Sequence, residues 1–150
     1  MRIAFYGSSL LSSYWNGAAT YYRGVLGALA ARGHTITFYE PDAFGRQQHR
    51  DIDPPDWVRS VVYDADEVSL RRVLAEAAAA DVVVKANGVG VFDRELLEGI
   101  IEHARPDALK IFWDVDAAAT LDEMAADAAH PVRRALRNRP IRCHHRGVQR

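Results

Sequence analysis

The sequence of 150 residues contains one cysteine, only two lysines and no long apolar run. Because Cys143 is the single cysteine, the chain cannot form an internal disulfide, and nothing favours an oxidising compartment. No apolar run approaches the roughly 20 residues that a membrane-spanning helix requires. Residues 1–6 are too few and too strand-like to form a signal peptide. These absences predict a cytoplasmic protein without a membrane span.

The signatures of several nucleotide-binding and metal-binding classes are also missing. Residues 7–17 contain no G-x-G-x-x-G, and the chain has no G-x-x-x-x-G-K-[ST] phosphate loop. A phosphoacceptor receiver domain needs acidic residues after its first strand, where this chain has Gly7, Ser8 and Ser9. His144 and His145 beside one cysteine make a poor zinc site. We therefore expect no metal site.

Acidic residues are absent from the last part of the chain. All 20 lie at or before Asp127, whereas seven of the 19 basic residues follow His130, so 12 basic residues remain to balance 20 acidic ones. The body is thus near −8 and the tail near +7. Such a tail suggests nucleic acid or an anionic surface, but it has no aromatic residue to stack on bases, which argues against nucleic acid.

The composition of this basic segment is typical of GC-rich DNA translated out of frame, which yields arginine, proline, histidine and glycine. Ile141 and Val148 also offer little apolar surface to offset the cost of ordering the chain. We predict that residues 1–130 form one domain. Residues 131–150 are expected to be a disordered or non-native tail, poorly packed from about Arg133, whose removal leaves the melting temperature nearly unchanged.

Apolar runs of strand length alternate with helical patterns along the body of the chain. Five strands are predicted, at residues 3–6, 35–39, 61–63, 82–84 and 108–113. Pro41 is expected to stop the second strand, while Asp66 or Ser69, and later Asp93, are expected to cap helices. Strands this apolar have no wet face, so we predict a Rossmann-like, three-layer α/β domain. Its parallel five-stranded sheet should have the strand order 3-2-1-4-5.

Ligands bind such sheets beyond the carboxyl ends of the strands, so the residues after each strand are the site candidates. The loop after the first strand offers serine hydroxyls beside the rings of Tyr14 and Trp15, and such a combination suits a sugar. The candidate substrate-binding residues are Ser8, Ser9, Tyr14, Trp15, Asn16, Gly17, Thr20, Arg23, Glu40, Asn87 and Gly88. Alternatively, Asn16 or Thr20 caps the following helix, Trp15 packs inward and Arg23 is solvated.

Two acidic side chains follow the fifth strand. Asp114 and Asp116 are the candidate catalytic residues, because either could act as a base or hold a ligand. The alternative is that Asp116 caps the next helix while Asp114 is solvated. Glu40 stands where dinucleotide enzymes keep a ribose-binding acid, although the glycine signature is missing.

Three stretches of the chain resemble the CgeB-like, spore-maturation-type glycosyltransferases. They are residues 1–9 with 14–23, residues 29–42, and residues 112–117; the motifs Trp-Asn-Gly-Ala-Ala-Thr and Phe-Trp-Asp-Val-Asp are the most specific. The resemblance implies a GT-B architecture, in which two Rossmann-like domains face each other across a cleft. The first domain usually handles the acceptor and the second binds the nucleotide-sugar co-substrate. No tightly bound cofactor is implied.

The resemblance ends near Pro131, where the family continues into its second domain. We therefore expect an acceptor-side domain for a glycan or small-molecule acceptor, truncated or frameshifted there and inactive without its donor-binding partner domain. Two alternatives stay open: a nucleotide-dependent oxidoreductase on the same fold, and a non-catalytic binding module.

Overall fold

The computed structural model describes residues 1–14 and 17–137, together with the backbone of residues 142–145. The strands are β1 (Arg2–Tyr6), β2 (Thr35–Asp42), β3 (Val58–Asp64), β4 (Val82–Ala86), β5 (Leu109–Asp114) and β6 (Arg142–His145). The α-helices are α1 (Ala18–Ala30), α2 (Glu67–Ala75), α3 (Asp93–His103), α4 (Ala117–Ala126) and α5 (Pro131–Arg137). Short 3-10 helices span Arg46–His49 and Glu76–Ala79.

The strands form one parallel sheet in the order β3-β2-β1-β4-β5-β6. The predicted order 3-2-1-4-5 of the first five strands is therefore confirmed. Side chains of β1 alternate between the two faces of the sheet: Phe5 packs on the α1 side, whereas Tyr6 packs on the side of α2 and α3. Each ring stacks on a ring of β2, Phe5 on Phe38 at 5.2 Å and Tyr6 on Tyr39 at 4.5 Å. Apolar residues thus fill both faces, as expected for a buried parallel sheet.

The second strand is longer than predicted, because it continues through Pro41 to Asp42. Pro41 pairs with Tyr63 of β3, but the pairing of β2 with β1 ends at Tyr39. The carbonyl of Tyr39 accepts the amide of Gly7, so the nitrogen of Pro41, two residues later, faces the same side, beyond the end of β1. The N–H group that proline lacks would have no strand partner there. The prediction that Pro41 stops the strand was therefore wrong.

Helix starts agree with the sequence in one case and differ in another. Of the two predicted cap residues, Asp66 caps α2, and its carboxylate accepts the amide of Ser69 at 2.7 Å. Asp93 is not a cap but the first residue of α3, and Phe92 before it has a φ of 57°. The carboxylate of Asp93 instead turns back to the amides of Val89 and Gly90.

The core continues beyond residue 130. Val132 and Ala135 of α5 are each 5% exposed and pack with Leu97 of α3 and Phe112 of β5. The backbone of β6 pairs with β5, from Ile111 to Asp114. The domain boundary predicted at residue 130 therefore coincides with the start of a packed helix. This boundary stays a prediction, and removal of α5 tests it. None of the helices in the described part of the chain is long and apolar enough to cross a membrane.

Candidate functional site

The loop after β1 is fastened to β2 by the side chain of Glu40. This glutamate is fully buried, and one of its carboxylate oxygens accepts the amides of Leu10 and Leu11. The other oxygen accepts the side-chain amide of Gln47. Glu40 therefore holds the loop and does not present its carboxylate to solvent.

The predicted serine ligands also turn inward. Ser8 and Ser9 are fully buried, and the hydroxyl oxygen of Ser9 accepts the amide of Ser12 at 3.0 Å. The carbonyl of Ser8 accepts the guanidinium of Arg46 at 3.0 Å. Both serines lie at the carboxyl end of β1, as predicted, but below the surface.

Arg23 ties α1 to the loops at this edge of the sheet. Its terminal nitrogens donate to both oxygens of Asp51, at 2.6 and 3.1 Å, and its Nε donates to the carbonyl of Leu10 at 2.7 Å. The hydroxyl of Ser13 donates to the same carboxylate at 2.8 Å. Arg23 and Ser13 together hold the pKa of the Asp51 carboxyl well below its usual range. Arg23 is therefore neither a solvated arginine nor an uncommitted ligand-binding one.

Arg46 joins the loops that follow three strands. It is 6% exposed, and its Nη1 donates to the carbonyls of Ser8 and Val89, at 3.0 and 2.9 Å. The guanidinium lies 5.0 Å from the ring centroid of Phe44, and burial lowers the pKa of Arg46. Carbonyl oxygens and an aromatic face thus replace the water that the cation has lost. The loops after β1, β2 and β4 are consequently held in one arrangement.

A second polar network lies where the adjacent strands β4 and β5 end. The side-chain amide of Asn87 donates to the hydroxyl oxygen of Thr120 at 2.9 Å and to Asp114 at 3.3 Å. The same oxygen of Asp114 accepts the amide of Asp116 at 3.0 Å. Asp114 is 4% exposed, so the alternative in which it is solvated is excluded. Asp116 is exposed at the N-cap position of α4, without a side-chain capping bond.

Lys85 and Asp93 form an ion pair below this network. The Lys85 side chain is 2% exposed, and its ammonium group donates to Asp93 and lies 5.4 Å from the ring centroid of Phe112. Burial lowers the pKa of Lys85, while the Asp93 carboxylate opposes that shift. The pair, with the amides of Val89 and Gly90, fixes the turn between β4 and α3.

Three large apolar side chains are exposed in loops at the carboxyl edge. Tyr14 is 40% exposed and stacks on His49 with ring centroids 3.9 Å apart, Phe44 is 56% exposed, and Val115 is 55% exposed. We call the surface formed by Tyr14, Phe44, Gly88, Val115 and Asp116 the carboxyl-edge face. It combines aromatic rings, an exposed glycine turn and a carboxylate on a fixed support.

The remaining predicted residues have different positions. Gly17 is the exposed N-cap residue of α1, and Thr20 is an exposed residue inside that helix, so Thr20 does not cap it. Trp15 and Asn16 lie outside the described residues. The structure therefore brings Tyr14, Gly88 and Asp116 to one edge, while Glu40, Asn87 and Asp114 support that edge from within.

Four residues of these networks were not predicted from the sequence: Arg46, Asp51, Lys85 and Thr120. Only Lys85 carried a usable signal, because it continues the apolar run of β4, where a charged side chain must find a buried partner. Arg46 and Asp51 lie in a long polar loop, where the sequence pattern does not distinguish a charged residue with internal partners from an exposed one.

Comparison with protein-family models, with curated proteins and with solved structures gave no match for this chain. The described residues contain no cluster of three or more histidine, cysteine or acidic side chains that could hold a metal ion.

Proposed function

We propose that this chain is the acceptor-side domain of a glycosyltransferase, which holds a glycan or small-molecule acceptor opposite a nucleotide-sugar bound by a second domain. The observation that carries the proposal is the carboxyl-edge face, where Tyr14 is exposed on a loop that Glu40 and the Arg23–Asp51 pair keep in place. Parallel α/β sheets bind their ligands at this edge.

The aromatic rings suit the apolar side of a sugar. Sugar C–H groups stack on aromatic rings, and a ring already fixed by its neighbours loses little entropy on binding. The stacking of Tyr14 on His49 provides this fixation. Phe44, whose ring contacts the guanidinium of Arg46, adds a second exposed ring at the same edge.

We assign different roles to Asp116 and Asp114: the first contacts the acceptor and the second positions the first. Asp116 is exposed and suits an acceptor hydroxyl, which a carboxylate can orient and deprotonate. Asp114 is buried and accepts the backbone amide of Asp116, so it positions the loop. Asp116 is therefore the proposed catalytic residue, and Asp114 is the residue that positions it.

The donor is expected to bind elsewhere. Transfer from a nucleotide-sugar needs groups that stabilise the leaving diphosphate. Among the described residues, two cations near this edge are buried, and internal partners already balance or solvate their charges: Asp93 for Lys85, and two backbone carbonyls for Arg46. The proposal thus requires a donor-binding domain, and it involves no bound metal or tightly held cofactor.

Binding is tested by titrating the purified chain with neutral oligosaccharides while recording amide and ring signals by NMR. Tyr14→Ala should weaken binding about fivefold to tenfold, since one stacked ring contributes on the order of 1 kcal/mol. Leu109→Ala is the matched control, because Leu109 is also 40% exposed but begins β5 at the opposite edge. Equal affinities for the two variants would contradict the proposal.

Activity gives a second test. The chain alone, incubated with a panel of nucleotide-sugars and acceptors, should neither transfer sugar nor hydrolyse donor at an enzymatic rate. Robust turnover by this chain alone would refute the acceptor-side assignment. Saturable binding of a nicotinamide cofactor in a parallel titration would support the oxidoreductase alternative instead.

A further inference from the structure

A cavity of about 300 Å³ lies between the sheet and the helices α3, α4 and α5. Its polar lining comprises Lys85, Asn87, Asp93, Arg94, Thr120, Glu123 and His130. Phe112, Leu97 and Val132 provide apolar walls. This volume is at the lower end of the roughly 300–1,000 Å³ typical of small-molecule sites. A lining of a few convergent polar groups on apolar walls is also typical of such sites.

The charged residues that line this cavity are two cations, Lys85 and Arg94, and two anions, Asp93 and Glu123, so the lining carries no net charge. Lys85 pairs with Asp93, and the guanidinium of Arg94 lies 3.1 Å from Glu98. An anionic or cationic ligand would therefore lose hydration without meeting a net opposite charge that offsets the loss. The charge balance favours a neutral ligand.

Several polar groups at the cavity keep hydrogen-bonding capacity. Lys85 donates to Asp93, and its other N–H groups have no acceptor among the described residues. The Thr120 oxygen accepts the Asn87 amide, and its hydroxyl hydrogen likewise has no acceptor in the described part of the chain. His130 Nδ1 is buried and has no partner within that part. Buried polar groups normally find partners, so this capacity calls for a ligand or water.

We propose that the cavity binds a neutral polyhydroxylated molecule, of the size of one monosaccharide or cyclic polyol. Hydroxyl groups both accept and donate, so they can accept from Lys85 and Thr120 and donate to Glu123. Which hydrogen-bonding role His130 takes follows its tautomer. The C–H groups of such a molecule would pack on the wall formed by Leu97 and Val132. The cavity deepens the proposed function: it is the subsite for the polyhydroxylated part of the acceptor, because Asn87 lines it and Gly88 lies on the carboxyl-edge face.

The experiment is an NMR titration of ¹⁵N-labelled chain with myo-inositol, glucose and N-acetylglucosamine as neutral probes. Glucose 6-phosphate and glucuronate are the charged counterparts. At least one neutral probe should give saturable shifts at the amides of Asn87, Thr120 and His130. The affinity of each charged probe should be lower by a factor of about five or more. Absence of saturable shifts would show that water alone fills the cavity and would overturn the proposal. Tighter binding of a charged probe would overturn it as well.

Two variants test the lining directly. Thr120→Val keeps the shape of the side chain but removes the hydroxyl, and His130→Leu removes a ring nitrogen that has no partner in the described residues. Each should weaken the neutral probe about fivefold to tenfold, as the loss of one ligand hydrogen bond does. Thr37→Val and His34→Leu are matched controls at other sites and should leave the affinity unchanged. His130→Leu keeps the test decisive if Thr120→Val unfolds, because it breaks no short side-chain hydrogen bond.

The outcomes separate this inference from the proposed function. If Tyr14→Ala weakens oligosaccharide binding while the cavity variants bind normally, the cavity proposal fails and the carboxyl-edge face keeps its assignment. If the cavity variants lose the neutral probe while Tyr14→Ala binds oligosaccharides normally, the cavity stands and the face loses its assignment.

Discussion

Replacement of Glu40 should lower the stability of the fold more than it changes ligand binding. The buried carboxylate accepts two backbone amides, from Leu10 and Leu11, and the side-chain amide of Gln47. In Glu40→Ala the two backbone amides lose their partner, and each buried unsatisfied group costs about 1–3 kcal/mol. We expect the free energy of unfolding to fall by about 4 kcal/mol, a large share of the roughly 5–15 kcal/mol typical of a domain.

The amide analogue separates charge from shape. Glu40→Gln keeps one oxygen for the backbone amides, but its NH₂ group then meets the NH₂ group of Gln47. Gln47 can turn its amide only by giving up the bond that its oxygen accepts from Arg50 at 2.8 Å. One hydrogen bond is therefore lost, and we expect a decrease of about 1–2 kcal/mol.

Urea denaturation of the wild type and both variants measures these losses, with Glu102→Ala on the exposed side of α3 as the control. Amide hydrogen exchange provides a local readout, since the Leu10 and Leu11 amides should exchange faster in Glu40→Ala. A loss below about 1 kcal/mol in Glu40→Ala, with unchanged exchange, would refute the structural role. A fully stable Glu40→Gln that no longer binds ligand would return Glu40 to the substrate-binding residues.

Three further predictions concern other parts of the fold. Asp51→Asn should lower stability by at most about 1 kcal/mol, because the ion pair with Arg23 is partly exposed. The low folded-state pKa of Asp51 means that the wild-type advantage is full above the unfolded value of about 3.9 and declines below it. Val132→Ala should cost about 1–3 kcal/mol by leaving a cavity beside Phe112. Gly24→Ala, with open space around it in α1, should stabilise by about 0.5–1 kcal/mol, whereas Gly99→Ala should destabilise because its Cβ would lie 2.5 Å from Leu74 Cδ1.

Stability measurements check these predictions. A wild-type advantage over Asp51→Asn that grows on acidification, measured by urea denaturation between pH 2 and 7, would contradict the assigned ion pair. Removal of residues 131–150 should lower the melting temperature by several degrees, because Val132 and Ala135 of α5 pack against Leu97 and Phe112. An unchanged melting temperature would instead support the domain boundary expected from the sequence. The two glycine variants control each other, since helix propensity alone predicts the same sign for both.

The sheet was predictable because hydrophobic patterning and chain connectivity decide it. Apolar runs such as that of β4 have no polar face, and right-handed crossovers leave few possible strand orders. The end of β2 was not predictable, since it depends on where β1 stops beside Pro41. The partners of the Asp93 side chain were not predictable from the sequence either. A local pattern makes it a helix cap, but the buried Lys85 and two loop amides draw its carboxylate away from that position.

The position of the candidate site was predictable from the sequence, but the roles of most of its residues were not. Polar residues after strands indicated the carboxyl edge, which contains Tyr14, Gly88 and Asp116. Glu40, however, is recruited by the amides of Leu10 and Leu11, thirty positions and one strand away. Such long-range partners are decided by how the loops fold over the sheet. A single sequence carries no local pattern for them.

The position of β1 in the middle of the sheet also sets the order in which the chain can fold. This strand leaves the ribosome before β2 and β4, yet β2 bonds to one of its edges and β4 to the other. Until β4 has emerged as far as Ala86, the backbone N–H and C=O groups along at least one edge of β1 have no strand partner. Non-local parallel pairing is intrinsically slow and exposes open strand edges to aggregation. Slower elongation beyond β4, or a chaperone that covers residues 2–6, should therefore raise the yield of folded chain.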